Sequence, residues 1–119
     1  MSFRMASKEA LKSTFKKHRV GAVVVKGNRI LSVGHNRLRS SAVTKTKTLH
    51  AEGAAILKLL KENRLHDLAG ASLYVTRHTK SGAVGMAMPC PSCHALIKSV
   101  GISTVYYTTN EGVTQSYEV

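Results

Sequence analysis

Two short motifs gather the chain's only two cysteines, a histidine and a glutamate: His50-Ala51-Glu52 and Pro89-Cys90-Pro91-Ser92-Cys93. One histidine and two cysteines supply three ligands of the kind that holds zinc. A fourth coordination position is left for water. Structural zinc sites close with four protein ligands, whereas an open position marks a catalytic one. The fold must therefore bring the start of one motif against the other, far along the chain.

The residue types suit a hydrolysis. Zinc lowers the pKa of a water it binds to about 7, which supplies a nucleophile at neutral pH. A ring carbon of amidine type, bearing an exocyclic amine, is a fitting target. Its ring nitrogen must gain a proton, and so must the departing ammonia. A carboxylate beside the metal but not bound to it can carry those protons. Glu52 fits this role, because on a helix it points away from His50 and can reach over the open position.

Local propensities place both motifs at helix starts. Residues 49–63, LHAEGAAILKLLKEN, lack proline and favour helix, with Thr48 as the expected N-cap. Pro91 suits the first position of a second helix running to about Val100, and Gly101 stops it. Cys90 and Cys93 then sit one turn apart at that helix's N-terminus, where the dipole favours thiolates. Taken alone, His50 reads as a surface or core histidine, and C-x-x-C as a redox pair. The joint pattern with Glu52 and the flanking prolines supports neither. There is no Trp-Cys-Gly-Pro-Cys context.

The pattern H-x-E…P-C-x-x-C, with its flanks, resembles the cytidine and deoxycytidylate deaminase superfamily. The likeness runs from about Arg19 to Asn110. Val20-Gly21-Ala22-Val23-Val24-Val25 resembles the family's first strand, and Gly34-His35-Asn36 its Gly-aromatic-Asn turn. Ser72-Leu73-Tyr74-Val75-Thr76 resembles the strand before the cysteines, and Gly101 to Tyr107 the one after them. The resemblance implies a three-layer α/β fold of cytidine-deaminase type, with a mixed sheet of about five strands flanked by helices. It implies that His50, Cys90 and Cys93 bind Zn2+, that Glu52 shuttles protons, and that Asn36 contacts a sugar, with Ala51 beside the substrate. It further implies a small-molecule nucleotide substrate and a homo-oligomeric assembly. The chain departs from the pattern in two places. Met88 stands where many relatives have a glutamate before Pro-Cys, and Arg77 to Met88 lengthens the step from strand to cysteines.

Charge is the second functional clue. Eighteen Lys and Arg against six Asp and Glu give a net charge of +12, which concentrates anionic partners. Arg37, Arg39, Lys45 and Lys47 cluster between the Asn36 turn and His50 and are candidates to grip a phosphate. A solvated loop is the competing reading. The leading expectation is deamination of dCMP to dUMP with release of ammonia. The alternative is a polynucleotide deaminase acting on cytosine or adenine in single-stranded DNA or RNA. An aromatic content of 5% argues against a dedicated stacking platform.

The remaining reading is coarse. The 119 residues suffice for a single deaminase domain with an aliphatic core. No apolar run is long enough to span a bilayer, and no secretory signal is evident, so a cytoplasmic setting and no membrane partner are expected. Both cysteines are assigned to metal, leaving no disulfide framework. A helix is expected over 6–17, with Ala10, Leu11 and Phe15 on one face. Strands are expected over 20–26 and 29–34, joined at Gly27-Asn28, then over 72–77 and 103–107, with a weak one from Val113 to Tyr117. A polar loop spans 35–48. The apolar run GAVVV predicts a strand covered on both faces. His18, His35, His66, His78 and His94 are not expected to bind metal, although His35 lies where it can line the pocket. Met86 and Met88 read either as pocket wall or as core filler, with core the leading reading. Of Tyr106 and Tyr107, alternation turns one inward.

Overall fold

The computed structural model describes residues 2–13, 18–39, 47–79, 81 and 83–119. In chain order the elements are α1 (Ser2–Ala10), β1 (His18–Lys26), β2 (Arg29–His35), β3 (Arg37–Arg39), β4 (Lys47–Leu49) and α2 (Ala51–Lys61). They continue with α3 (Leu65–Leu68), β5 (Ser72–Thr79), β6 (Val84–Gly85), α4 (Pro91–Ser99), β7 (Thr104–Thr108) and β8 (Thr114–Glu118).

One six-stranded sheet runs β2-β1-β5-β7-β8, with β6 pairing β5, and β3 and β4 form a separate two-stranded ribbon. Only β5 and β7 run parallel, joined by the stretch that contains α4; the other pairs are antiparallel. The sheet is therefore mixed, as expected. The β1–β2 hairpin turns at Gly27, whose φ of 61° is the left-handed value such a turn demands.

Strand alternation assigns the two faces. Ala22 and Val24 of β1 join Leu73 and Val75 of β5 and Val105 of β7 in the main core, beneath α2, α3 and α4. Val23 and Val25 point the other way, toward Ala6 of α1. The GAVVV run is thus covered on both faces. Tyr107 is buried in the main core, while Tyr106 stacks on Tyr74 of β5 with ring centroids 4.5 Å apart. Tyr106 packs along the sheet surface.

Several expected boundaries move. The first helix ends at Ala10, and Leu11 is 59% exposed, so Ala10 and Leu11 do not share a buried face. The helix packs instead through Ala6, Glu9 and Ala10, the i, i+3, i+4 positions that meet the sheet. Phe15 lies outside the described residues. Thr48 belongs to β4, and His50 is the N-cap of α2, in extended conformation with no side-chain cap bond. The polar stretch after His35 contains the β3–β4 ribbon, pairing Arg37 with Leu49 and Arg39 with Lys47. The region 78–88 contains β6, which pairs Arg77 with Gly85 and His78 with Val84.

Candidate active site

The site forms where two helix N-termini meet the ends of β1, β2 and β5. His50 precedes α2, and Cys90 precedes α4 as its N-cap with Pro91 at the first helical positions. Pro91 suits that place because its missing N–H would have had no intrahelical partner. His50 Nδ1 lies 3.1 Å from Cys93 Sγ and 3.7 Å from Cys90 Sγ. Ligands on one tetrahedral zinc sit roughly 3.5 Å apart, given Zn–S near 2.3 Å and Zn–N near 2.0 Å. All three donor atoms fall within 4.8 Å of one another. Two sulfurs and an imidazole nitrogen at this spacing fit zinc and leave its fourth position to a small molecule.

Glu52 begins the same helix and is only 5% exposed. Burial raises its carboxyl above the ordinary glutamate value; a backbone hydrogen bond, His50 and Cys93 pull it back in part. Burial, and next the charge of Glu52, also push the Cys93 thiol up. A bound cation reverses that trend, since a coordinating thiol is deprotonated outright.

These groups open onto a cavity of about 430 Å³ lined by Val20, Asn36, His50, Ala51, Glu52, Arg77, Met86, Ala87, Met88 and Cys90. Asn36 is fixed by a two-way clamp. Its Oδ1 accepts from Val20 N at 2.9 Å, and its backbone N donates to Val20 O at 3.1 Å. Held by this clamp, Asn36 forms part of the cavity wall.

Sequence reasoning located the metal triad, Glu52, Asn36 and Ala51, and these come together. Arg37 and Arg39 lie on β3 and Lys47 on β4, the ribbon that leads from Asn36 to His50. Lys45 lies outside the described residues. Three expectations about the wall need correction. Met86 and Met88 do not fill core space: they are 40% and 55% exposed and form part of the cavity wall. A chain emerging from β6 is held by its backbone, so its side chains are left to the pocket. Ala87 N donates to Thr108 O, and Met86 N to Asn110 Oδ1. His35 does not line the cavity; β-strand alternation turns it from Asn36 toward α1, where Nδ1 lies 2.9 Å from Glu9 Oε1. Arg77 was missed as a site residue, although its place two residues beyond Val75 on the same strand face was readable once β5 was assigned. His94 is not one of the three clustered donors; its Nδ1 lies 3.1 Å from Tyr117 Oη.

Comparison with known proteins agrees with this arrangement. Residues 1–109 match the cytidine and deoxycytidylate deaminase zinc-binding region, and the chain belongs to that family. A deaminase of Aliivibrio fischeri is 41% identical over 97 residues, covering 73% of this chain and 56% of the relative. The chain thus spans little more than half of that relative's length. The deoxycytidylate deaminase of Mycobacterium phage D29 is 33% identical over 126 aligned positions, covering 87% and 88% of the two chains. Among solved structures, the apo dCMP deaminase of cyanophage S-TIM5 superposes with a TM-score of 0.70 at 30% identity, over 91% of this chain and 79% of that one. The same phage protein has been solved in complex with dCMP and dUMP; that structure gives a TM-score of 0.63 at 28% identity, over 92% and 82% of the chains. The cofactor of the family is zinc, and His50, Cys90 and Cys93 are positioned to bind it. No helix among the described residues is long and apolar enough to cross a membrane.

Proposed function

We propose that this protein hydrolytically deaminates a cytosine nucleotide, converting dCMP and water to dUMP and ammonia. The observation that carries the reading is the convergence of His50, Cys90 and Cys93 beside a buried Glu52 in one open cavity. The likeness to phage dCMP deaminases supports the choice of nucleotide. When bound by the three ligands, zinc supplies Lewis acidity that activates water for attack.

The chain's own residues do the rest. Water adds to C4 of the cytosine, and the C4–N4 bond breaks as ammonia leaves. Glu52 takes a proton from that water, delivers it to the ring nitrogen N3, and passes the second to the departing amine. Its position at the start of α2, beside His50 and buried from solvent, suits a group that moves protons rather than binds the metal. Asn36, held in place by Val20, meets a sugar oxygen, and Ala51 forms part of the wall beside the base. Arg37, Arg39, Lys45 and Lys47 favour the approach of the anionic nucleotide. The enzyme works in the cytoplasm as a homo-oligomer.

The test is a panel of dCMP, CMP, deoxycytidine, cytosine, adenosine and short single-stranded DNA and RNA, read by mass for loss of the amine. Turnover of dCMP should exceed that of every other compound. Rapid deamination of a strand, falling steeply with salt, with negligible dCMP turnover, would replace this reading with polynucleotide deamination.

A further inference from the structure

We propose that Arg77 is a specificity-determining residue that holds the anionic group of the nucleotide, and that the β5–β6 hairpin exists to place it. The inference rests on the nucleotide reading above and names a residue that reading does not use.

Arg77 reaches the cavity for a reason visible in the strand. Leu73 and Val75 of β5 are fully buried beneath the helices that carry the metal ligands. Side chains at i, i+2 and i+4 share one face of a strand, so Arg77 continues the row past the end of the apolar core. There it becomes part of the cavity wall and is the only Lys or Arg among the described residues that line it.

The neighbours on either side hold this position. Across β1 it faces Val20, which is clamped in both directions to Asn36. Across β6 it faces Gly85. A methyl group added to Gly85 would lie 3.5 Å from Arg77 Cδ and 3.6 Å from Cγ, so the arginine stem passes close over the glycine. Asn36, Val20, Arg77 and Gly85 therefore form a row across four neighbouring segments of backbone.

The hairpin is pinned independently of any ligand. Thr108 Oγ1 donates to Gly85 O at 2.8 Å, Ala87 N donates to Thr108 O at 2.9 Å, and Met86 N donates to Asn110 Oδ1 at 2.9 Å. Three bonds to the end of β7 and the turn beyond it make this lengthened segment a fixed wall. A guanidinium fork in such a wall suits a phosphate, which it can meet through two parallel N–H donors. Met86 and Met88 then supply the apolar rim beside it.

The experiment compares wild type with Arg77→Met and Arg77→Lys, all loaded with zinc and checked for zinc content and melting temperature. Calorimetry measures binding of dUMP and of deoxyuridine, and kinetics measures kcat/KM for dCMP and deoxycytidine. In Arg77→Met, dUMP affinity should fall about 10-fold or more, the size of one charge-assisted contact, while deoxyuridine affinity stays within about 2-fold. The preference for dCMP over deoxycytidine should shrink by a similar factor. Arg77→Lys, which keeps the charge but loses the fork, should fall between the two; it decides the matter should Arg77→Met fail to fold. Unchanged dUMP affinity, or equal losses for dUMP and deoxyuridine, would overturn the assignment of Arg77. If wild type binds dUMP through Arg77 yet turns over neither cytosine compound, the deamination reading fails and this one stands.

Discussion

Helices α1 and α2 approach the sheet from opposite sides, and each does so over a strand glycine. A methyl group added to Gly34 of β2 would lie 2.6 Å from Ala51 O and from Ala55 N. One added to Gly21 of β1 would lie 2.6 Å from Ala10 N and nearer still to Ala6 O. In both places alanines on the helix and a glycine on the strand allow backbone to meet backbone. The faces differ in what that closeness serves. Beneath α2 lies the main core, and the helix begins with His50 and Glu52. Beneath α1, among the described residues, only Ala6, Val23 and Val25 form the buried cluster. Close docking on the first face positions chemistry; on the second it covers a sheet.

The largest effects should come from the α2 face. Glu52→Gln should keep zinc and fold yet lose about 10²–10⁴ in kcat, the range of general acid–base catalysis. Cys93→Ser should by contrast lose the metal itself, as measured by zinc content after gel filtration. An active Glu52→Gln enzyme would show that another group carries the protons.

The glycines give the direct test. Gly34→Ala and Gly21→Ala should each cost about 1–3 kcal/mol of stability through overpacking. Gly34→Ala should also reduce zinc affinity and kcat, because the helix start it displaces carries His50 and Glu52. Gly21→Ala should leave both within about 2-fold when assayed below its melting point. Equal catalytic damage from the two would abolish the distinction drawn between the faces. Denaturant melts and metal titrations on the pair suffice.

The smallest effect is expected on the α1 face at low pH. Burial works to raise the Glu9 carboxyl, but His35 and Lys12 together outweigh it and leave the pKa below the ordinary value of 4.5. A carboxylate held lower in the folded state stabilises the fold fully above its unfolded pKa. That contribution is lost as pH falls through the folded value. Glu9→Gln should therefore lower the melting temperature at neutral pH and flatten its decline below about pH 4.5. A decline as steep as in wild type would assign the acid sensitivity to other groups.

The two faces were unequally legible in the sequence. His50, Glu52, Cys90 and Cys93 could be read because ligand chemistry demands rare residues at short spacings beside helix starts. The β1–β2 hairpin was equally plain, since Gly27-Asn28 interrupts two apolar runs. The packing of α1 was not, because Ala10 and Leu11 suggested one apolar face, yet Ala10 is buried and Leu11 is exposed. What packs is two alanines and the acidic Glu9, and Glu9 carries no hydrophobic signal. The ribbon β3–β4 escaped notice because its strands, Arg37-Leu38-Arg39 and Lys47-Thr48-Leu49, are too short to show an alternation. Met86 and Met88 misled for a related reason. Their exposure to the cavity depends on hydrogen bonds between the backbone of their segment and the side chains of Thr108 and Asn110, which lie further along the chain and leave no local pattern.

The sequence separation of the metal ligands has a further consequence. His50 and Cys93 are 43 residues apart along the chain, yet their donor atoms lie 3.1 Å from each other. An ion shared between them closes a long loop, much as a covalent crosslink would, and the entropy of closing such a loop grows only slowly with its length. Affinity for the ion is therefore coupled to the folding equilibrium, since the unfolded chain offers no assembled site. The metal centre is also a clasp, and zinc held there stabilises the folded chain.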